Sequence, residues 1–157
     1  LTVERFSEAT LQKFQELKDQ NIILKIAATS NPVDLTGSVT DDMFVMAADL
    51  MFQDPQICGI ILLGLHHMPG LREVYIDGII KVAENYDKPI VMCDIGETEM
   101  ALYTRARFDK LGVPSFESPE DAARAMKALV TYGSYLKKSG CADEYMKAFK
   151  KVCGSKR

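Results

Sequence analysis

The sequence predicts an α/β fold of three layers, in which a parallel sheet of about four or five strands lies between helices. Two apolar runs, residues 57–63 and residues 90–93, are typical of strands buried on both faces of such a sheet. Segments with apolar residues at helical spacing precede and follow these runs, so strands and helices alternate. At 157 residues, the chain is long enough for one domain with a hydrophobic core.

Charge and cysteine content narrow the class of protein. The formal net charge is −3, which gives no electrostatic reason to expect a nucleic acid or an anionic membrane as partner. No apolar run approaches membrane-spanning length, and the first residues lack the pattern of a signal peptide. The four cysteines have no metal-type spacing. We therefore expect a cytoplasmic protein whose thiols are reduced.

The first third of the chain contains two helix starts and two short extended segments. Residues 1–6 alternate loosely and could form an edge strand. Ser7 is placed to cap a helix over about residues 8–19. Pro32 excludes helix around it, and residues 33–35 are expected to form a short strand. Thr40 is placed to cap the next helix, which carries two acids in its first turn.

The segment after the first buried run is the main candidate for a site. Residues 64–70 read as a loop, and apolar spacing predicts a helix that begins near Gly70 or Leu71 and ends near Asn85. A helix N-terminus at the carboxyl end of a strand presents free N–H groups and a positive dipole end to an anion. From spacing alone, a plain strand-to-helix connection is the more common explanation.

The second half continues the alternation. A turn ending at Pro89 leads into the strand of residues 90–93, and a further loop follows at residues 95–98. The next helix is expected to stop at Gly112, before a short, proline-marked strand over residues 113–116. Ser118 and the proline after it are a strong helix start. Residues 1–138 are predicted to form the domain, and residues 139–157 a helical tail.

Five short motifs stand out in this pattern. In order, they are Asn31-Pro32-Val33-Asp34-Leu35-Thr36-Gly37, Asp77-Gly78-Ile79-Ile80, Lys88-Pro89-Ile90-Val91, Leu111-Gly112-Val113-Pro114 and Ser118-Pro119-Glu120-Asp121-Ala122-Ala123-Arg124-Ala125. Their order and spacing resemble those of the NDP-forming acyl-CoA synthetases, a superfamily that includes the ADP-forming acetate–CoA ligases and the succinyl-CoA ligases. The resemblance covers residues 1–135 and lies in one flavodoxin-like domain of these multidomain enzymes. Since the domain of this family begins with a further strand and turn, the chain is expected to be a fragment that lacks its first βα unit.

The resemblance implies an activity for the parent enzyme. Such enzymes interconvert acyl-CoA, phosphate and ADP with acid, CoA and ATP, and a histidine carries the phosphoryl group between sites. The N-termini of two helices, one from each of two flavodoxin-like domains, stabilise that phosphohistidine. The helix after residues 64–70 would be one of them. On this basis the isolated chain is expected to be inactive and to hold no cofactor.

The implied partners are the other domains or subunits of the synthetase: the CoA-binding, the histidine-bearing and the ATP-grasp domains. These would bind CoA, ATP or ADP, and Mg. A homo-oligomer is also compatible with the resemblance. The alternative function is a non-catalytic regulatory or assembly module of a synthetase-like protein. A flavodoxin or a receiver domain is disfavoured, because the chain has neither a flavin-type phosphate loop nor paired acids beside Asp34.

Candidate site residues follow from the loop positions. The residues expected to bind the phosphate or phosphohistidine are Gly64, His66, His67, Gly70 and Leu71. Residues that could line the site are Asn31, Asp34, Gly37, Gly96 and Glu97. The side chains of Asn31 and Asp34 could equally hydrogen-bond local backbone. The segment from Gly96 is more typical of a plain helix start. No metal site is expected, because adjacent histidines rarely bind the same ion.

Overall fold

A computed structural model describes residues 1–65 and 68–154 of the chain, with side chains up to residue 149. Within this part the fold is α/β, as predicted. The helices are α1 (Glu8–Asp19), α2 (Asp41–Gln53), α3 (Val74–Glu84), α4 (Glu99–Lys110), α5 (Pro119–Lys138) and α6 (Ala142–Gly154). The strands are β1 (Ile60–Gly64), β2 (Ile90–Asp94) and β3 (Ser115–Phe116).

The sheet is parallel, and its strand order β1-β2-β3 follows the order of the sequence. Ile60 pairs with Ile90 at one end of β1 and β2, and Gly64 pairs with Asp94 at the other end. The short strand β3 pairs with β2 through Ser115 opposite Met92.

The predicted number of four or five strands is too high for the described residues, which contain a sheet of three. Residues 1–6 are not a strand. Residues 33–35 are not a sheet strand either, because Asp34 exchanges backbone hydrogen bonds of 2.8 and 2.9 Å with Ala28. The backbone groups that a sheet partner would need are thus used locally.

Both faces of the sheet are apolar, which explains the continuous hydrophobic runs in the sequence. One face contributes Ile60, Leu62, Ile90 and Met92 to the main core, where they join buried residues of α1 to α4. The other face of β2 packs with Ala122 and Met126 of α5. Helices therefore cover both faces, as expected for a three-layer flavodoxin-like fold.

Hydroxyl side chains cap the helices at the predicted positions. Ser7 accepts the Thr10 N–H at the start of α1, and Thr40 accepts the Met43 N–H at the start of α2. Asp54 follows α2, is fully buried, and accepts the Ser7 N–H at 2.8 Å. It thereby fixes the beginning of α1 to the end of α2.

The chain folds as two compact units. One unit is residues 2–126 and contains the sheet. The other consists of Leu1 and the chain from Lys127 onward, and in it Tyr145 contacts the rings of Tyr132 and Phe149. The predicted boundary after residue 138 stays a prediction. No helix in the described ranges has the length and apolar character needed to cross a bilayer.

Candidate functional site

The carboxyl edge of the sheet collects the loops from which a site can be built. β1 ends at Gly64 and β2 ends at Asp94, and these two residues are register partners. The chain then runs into α3 and α4, whose N-termini therefore follow the same edge. In parallel α/β sheets, this is the edge where ligands bind.

The N-terminus of α3 lies later in the chain than the sequence predicts. The helix begins at Val74, so the predicted start near Gly70 or Leu71 is wrong. The Leu71 N–H donates to the Met68 carbonyl at 3.0 Å. The Arg72 N–H donates to Oδ1 of Asp41 at 2.6 Å. These bonds hold the two residues in a turn against α2, before the helix.

Gly70 has a packing role in this turn. Its carbonyl accepts the Asp41 N–H at 3.0 Å, and a Cβ on Gly70 would lie 2.4 Å from the Val39 carbonyl oxygen. Only glycine allows this approach of two backbone segments. Gly64 is also crowded, because a Cβ there would lie 2.5 Å from Cε of Met92.

Two predicted phosphate-binding residues, His66 and His67, lie outside the described residues. Of the other three, Gly64 ends β1, while Gly70 and Leu71 form the turn before α3. Binding of a phosphate by any of these residues stays a prediction. Among the described residues, no group of three or more His, Cys, Asp or Glu side chains could hold a metal ion.

Tyr75, in the first turn of α3, carries no signal in the sequence that would single it out as a site residue. It is 3% exposed, and its ring packs against Phe44 and Phe108. In the part of the chain that the structure describes, its hydroxyl has no hydrogen-bond partner. Burial raises the pKa of Tyr75, and the carboxylates of Asp94 and Asp41 raise it further. The hydroxyl is therefore a protonated donor at the carboxyl edge.

The second loop at this edge is held by a buried arginine. Nη1 of Arg105 donates to the carbonyls of Asp94 and Gly96, each at 2.7 Å. Nη2 of Arg105 lies 3.8 Å from Oε1 of Glu97, whose side chain is exposed. Gly96 has φ = 122°, which other residues rarely adopt. The buried Arg105 guanidinium therefore holds the loop before α4 in place, and the Glu97 side chain lies on the surface of this loop.

Arg107 of α4 forms a charged network with the start of α3. Its Nη2 donates to both carboxylate oxygens of Asp77, at 2.7 and 2.8 Å. Its Nη1 lies 3.6 Å from Oε2 of Glu73, which immediately precedes α3. The Tyr103 hydroxyl accepts from Arg107 and donates to Glu73. The sequence does not indicate this network, because it depends on the packing of α3 against α4.

Two polar side chains in the segment between α1 and α2 form hydrogen bonds with backbone groups. The side-chain amide of Asn31 donates to the Glu4 carbonyl at 2.8 Å. Oδ1 of Asp34 accepts the Thr36 N–H at 2.8 Å, an Asx turn. A Cβ on Gly37 would meet no atom within 4 Å. The structure thus accounts for Asn31 and Asp34 as residues that order this loop, while their binding role stays a prediction.

Together, these features define a flavodoxin-like α/β domain whose carboxyl edge carries two helix N-termini. No protein-family profile matches the chain. Over 140 residues it is 28% identical to the α subunit of an ADP-forming acetate–CoA ligase II from Pyrococcus furiosus. This match covers 83% of the chain and 28% of the subunit.

Solved structures extend the comparison. The crystal structure of PH0766 from Pyrococcus horikoshii matches with a TM-score of 0.75 and 27% identity, covering 85% of this chain and 30% of that one. The apo form of a dinucleotide-forming acetyl-coenzyme A synthetase 1 from Ca. Korarchaeum cryptofilum matches with a TM-score of 0.71. At 22% identity, covering 87% of this chain and 30% of that one, the latter match supports the fold alone.

The resemblance to the NDP-forming acyl-CoA synthetases is therefore confirmed over one segment of these proteins. The chain spans less than a third of the length of these relatives, since it covers 28% of the curated subunit and 30% of each of the two solved chains.

Proposed function

We propose that this chain is one domain of an acyl-CoA synthetase that interconverts acyl-CoA, ADP and phosphate with acid, CoA and ATP. Within that enzyme, the N-terminus of α3 would stabilise a phosphohistidine carried by another domain. The observation that carries the proposal is the 28% identity to the acetate–CoA ligase α subunit, which extends over 83% of the chain.

The start of α3 has the properties that this role requires. α3 has 11 residues and follows the carboxyl end of β1, and the side chain of Glu73, which precedes it, makes no capping hydrogen bond. The first-turn N–H groups of a helix have no intrahelical partner, and the dipole places positive charge there. A phosphoryl group on a histidine could accept these N–H groups.

Exposed apolar side chains at the carboxyl edge of the sheet support the proposal that other domains bind there. Large side chains that are 42–63% exposed occur at the ends of β1 and β2 and at the starts of α3 and α4: Leu63, Leu65, Val74, Ile95 and Met100. Soluble monomers seldom expose large apolar patches, and such patches often mark interaction sites. The proposed partners are the CoA-binding, histidine-bearing and ATP-grasp domains, which would bind CoA, ATP or ADP, and Mg.

The charge of the first turn of α3 provides a test. The longer protein that carries this chain is incubated with γ-labelled ATP and Mg, and acid-labile, base-stable phosphoprotein is measured. Val74→Glu places a carboxylate at an exposed first-turn position. This carboxylate repels the phosphoryl group, but it stabilises the helix through its interaction with the helix dipole. We expect the label to fall several-fold while the thermal midpoint stays within a few degrees.

Ala9→Glu is the matched control, because Ala9 is an exposed first-turn residue of α1. The start of α1 is fixed to the end of α2 through Asp54, whereas the start of α2 contacts Gly70 at the carboxyl edge. This control should keep the label. If neither variant changes labelling, α3 does not serve the phosphohistidine. If the wild-type protein is never labelled although nucleotide is bound, the proposed synthetase function is wrong. The alternative, a non-catalytic regulatory or assembly module, then takes its place.

A further inference from the structure

The two edges of the sheet differ in how they are protected. β3 forms one edge, is two residues long and directly follows Pro114. The Pro114 carbonyl accepts the Met92 N–H of β2, so the N–H of the same peptide unit, which belongs to Ser115, faces away from the sheet. Oδ1 of Asp109 accepts this N–H at 2.8 Å. Short length, a proline and a local acceptor all prevent an edge strand from pairing further.

β1, at the other edge, has none of these features. It pairs with β2 in unbroken register over five residues, from Ile60 to Gly64. Residues 57–65 contain no charged residue and no proline. In the ranges that the structure describes, no strand pairs with the outer side of β1. A regular, apolar edge of this kind is a template for a further strand.

The backbone groups on the outer side of β1 belong to Ile61 and Leu63. The Ile60 N–H donates to the Pro89 carbonyl at 3.0 Å and therefore faces β2. Since successive residues of a strand direct their backbone groups to opposite sides, Ile61 and Leu63 direct theirs away from β2. The outer side of β1 thus presents two donors and two acceptors at the spacing of a sheet ladder.

The side chains of β1 are also incompletely covered. All five residues of β2 are buried, and so are Ile60 and Leu62 of β1 on the face toward the main core. On the opposite face, Ile61 is only partly buried and Leu63 is 53% exposed. A strand beside β1 would place side chains next to Leu62 on one face and next to Leu63 on the other. The partner that fits is therefore a strand with apolar residues on both faces.

We propose that a further β-strand, supplied by another segment of the longer protein that carries this chain, pairs with the outer side of β1 and covers Leu63. The match to the curated relative covers 28% of that subunit, so most of such a protein lies outside the matched segment. The added strand should be short, rich in aliphatic and β-branched residues, and apolar at successive positions. Its pairing requires a longer protein but no phosphohistidine, and it therefore goes beyond the proposed function.

The test is amide hydrogen exchange in the longer protein, measured by mass spectrometry with single-residue fragmentation. The N–H of Leu62, which faces β2, is the internal reference. We expect the N–H groups of Ile61 and Leu63 to exchange within about tenfold of this reference, because the amides of one sheet open together. This protection should stay unchanged when the protein is diluted, since both strands belong to one molecule.

Leu63→Asp tests whether the strand covers this side chain, and Leu11→Asp is the matched control. In this chain Leu63 is more exposed than Leu11, which is 40% exposed in α1, so exposure alone makes Leu63→Asp the milder change. A strand over Leu63 reverses the order. Leu63→Asp should then speed exchange at Ile61 by about tenfold or more, while Leu11→Asp leaves it unchanged. If Leu63→Asp does not fold, exchange in the wild-type protein decides.

Three results would overturn the proposed strand. Fast exchange at Ile61 and Leu63 beside slow exchange at Leu62 would mean that the outer side of β1 is free. Protection that falls on dilution would identify a second copy as the occupant. Unchanged exchange at Ile61 in a folded Leu63→Asp variant would mean that nothing covers Leu63. None of these results bears on the phosphohistidine, which the labelling experiment tests separately.

Discussion

Oδ1 of Asp41 accepts the backbone N–H of Arg72 at 2.6 Å, and Oδ2 of Asp41 lies 3.3 Å from Nε of the same residue. One carboxylate at the start of α2 therefore binds the turn that precedes α3. Asp41 is buried, whereas the Arg72 side chain is 76% exposed, so the backbone bond is the more protected of the two contacts. This bond anchors the turn that precedes α3 to the start of α2.

Replacing Asp41 by alanine should lower the free energy of unfolding by about 1–3 kcal/mol, because it leaves the Arg72 N–H without its acceptor. Asp42→Ala is the matched control, since Asp42 is an exposed acid in the same helical turn. Both variants lose a favourable interaction with the helix dipole, so their difference isolates the bond to Arg72. Urea unfolding measures both. Equal losses would mean that the bond to Arg72 contributes nothing.

Gly70→Ala should destabilise the chain by about 1–3 kcal/mol, the usual cost of overpacking. The added Cβ would lie 2.4 Å from the Val39 carbonyl oxygen, and backbone cannot move aside cheaply. Gly37→Ala is the control, because a Cβ on Gly37 would meet no atom within 4 Å. That variant should be neutral or more stable by up to about 1 kcal/mol. Similar unfolding midpoints for the two variants would contradict this account.

Asp54 should make stability depend on acid pH. Burial raises the pKa of Asp54, but hydrogen bonds from Gln56, Thr10 and Ser7 outweigh it, so the net pKa is below its ordinary value. The stabilisation is therefore complete above the unfolded-state pKa of 3.8 and is lost as the pH falls through the lower folded-state value. Asp54→Asn should remove this part of the pH dependence and cost about 1–3 kcal/mol at neutral pH.

The measurement is the difference between the free energies of unfolding of the wild-type chain and Asp54→Asn as the pH is lowered. This difference should shrink below the ordinary pKa of an aspartate. A difference that stays constant over the acid range would show that the Asp54 carboxylate has the same pKa in the folded and the unfolded chain.

Tyr75→Phe should leave stability unchanged or raise it by up to about 1 kcal/mol, because it removes a buried hydroxyl that has no partner within the described residues. The raised pKa of Tyr75 means that the unfolded chain ionises first. The wild-type chain should thus lose stability, relative to Tyr75→Phe, as the pH rises above the ordinary tyrosine value of about 10. Thermal melts at neutral and alkaline pH measure both effects. A loss above about 1 kcal/mol in Tyr75→Phe would indicate a bonded hydroxyl.

The close approach of α2 and α3 can be tested with a double-mutant cycle. A Cβ on Gly78 would lie 2.5 Å from Cγ2 of Val45. In the wild-type background, this clash opposes the gain of about 1 kcal/mol that alanine gives over glycine in a helix. Gly78→Ala should therefore be more favourable in the Val45→Ala background, by about 0.5–3 kcal/mol. If the changes in unfolding free energy caused by the two substitutions simply add in the double variant, residues 45 and 78 do not interact as described.

Local patterns in the sequence predicted much of the fold. The hydroxyls of Ser7 and Thr40 stand before acids and an apolar helical stripe, and both cap helices as predicted. The runs before Gly64 and Asp94 are short, rich in aliphatic residues and apolar at successive positions, which is typical of a strand covered on both faces. These signals lie within a few residues, so one sequence is sufficient to find them.

The start of α3 could not be predicted in the same way. Apolar spacing continues back to Leu71, but the bond from the Arg72 N–H to Asp41 joins residues 31 positions apart. The same applies to Arg107, whose partners Glu73 and Asp77 belong to a different helix. Contacts of this kind depend on tertiary packing, and the helix propensity of a segment does not predict them. The strand expected at residues 33–35 failed for a different reason: Asp34 pairs with Ala28, which is close in the sequence, so its backbone groups are used locally and not in the sheet.

The strand order β1-β2-β3 also bears on how the chain is made. Each strand pairs with the strand that comes next in the sequence, and a single helix separates them. During synthesis on the ribosome, the neighbours of β2 and β3 on the β1 side are therefore already made when these two strands emerge. Pairing of consecutive strands keeps each closed loop near the shortest that a parallel crossover allows, which limits the loop-closure cost. These three strands can thus assemble in the order β1, β2, β3 while translation continues.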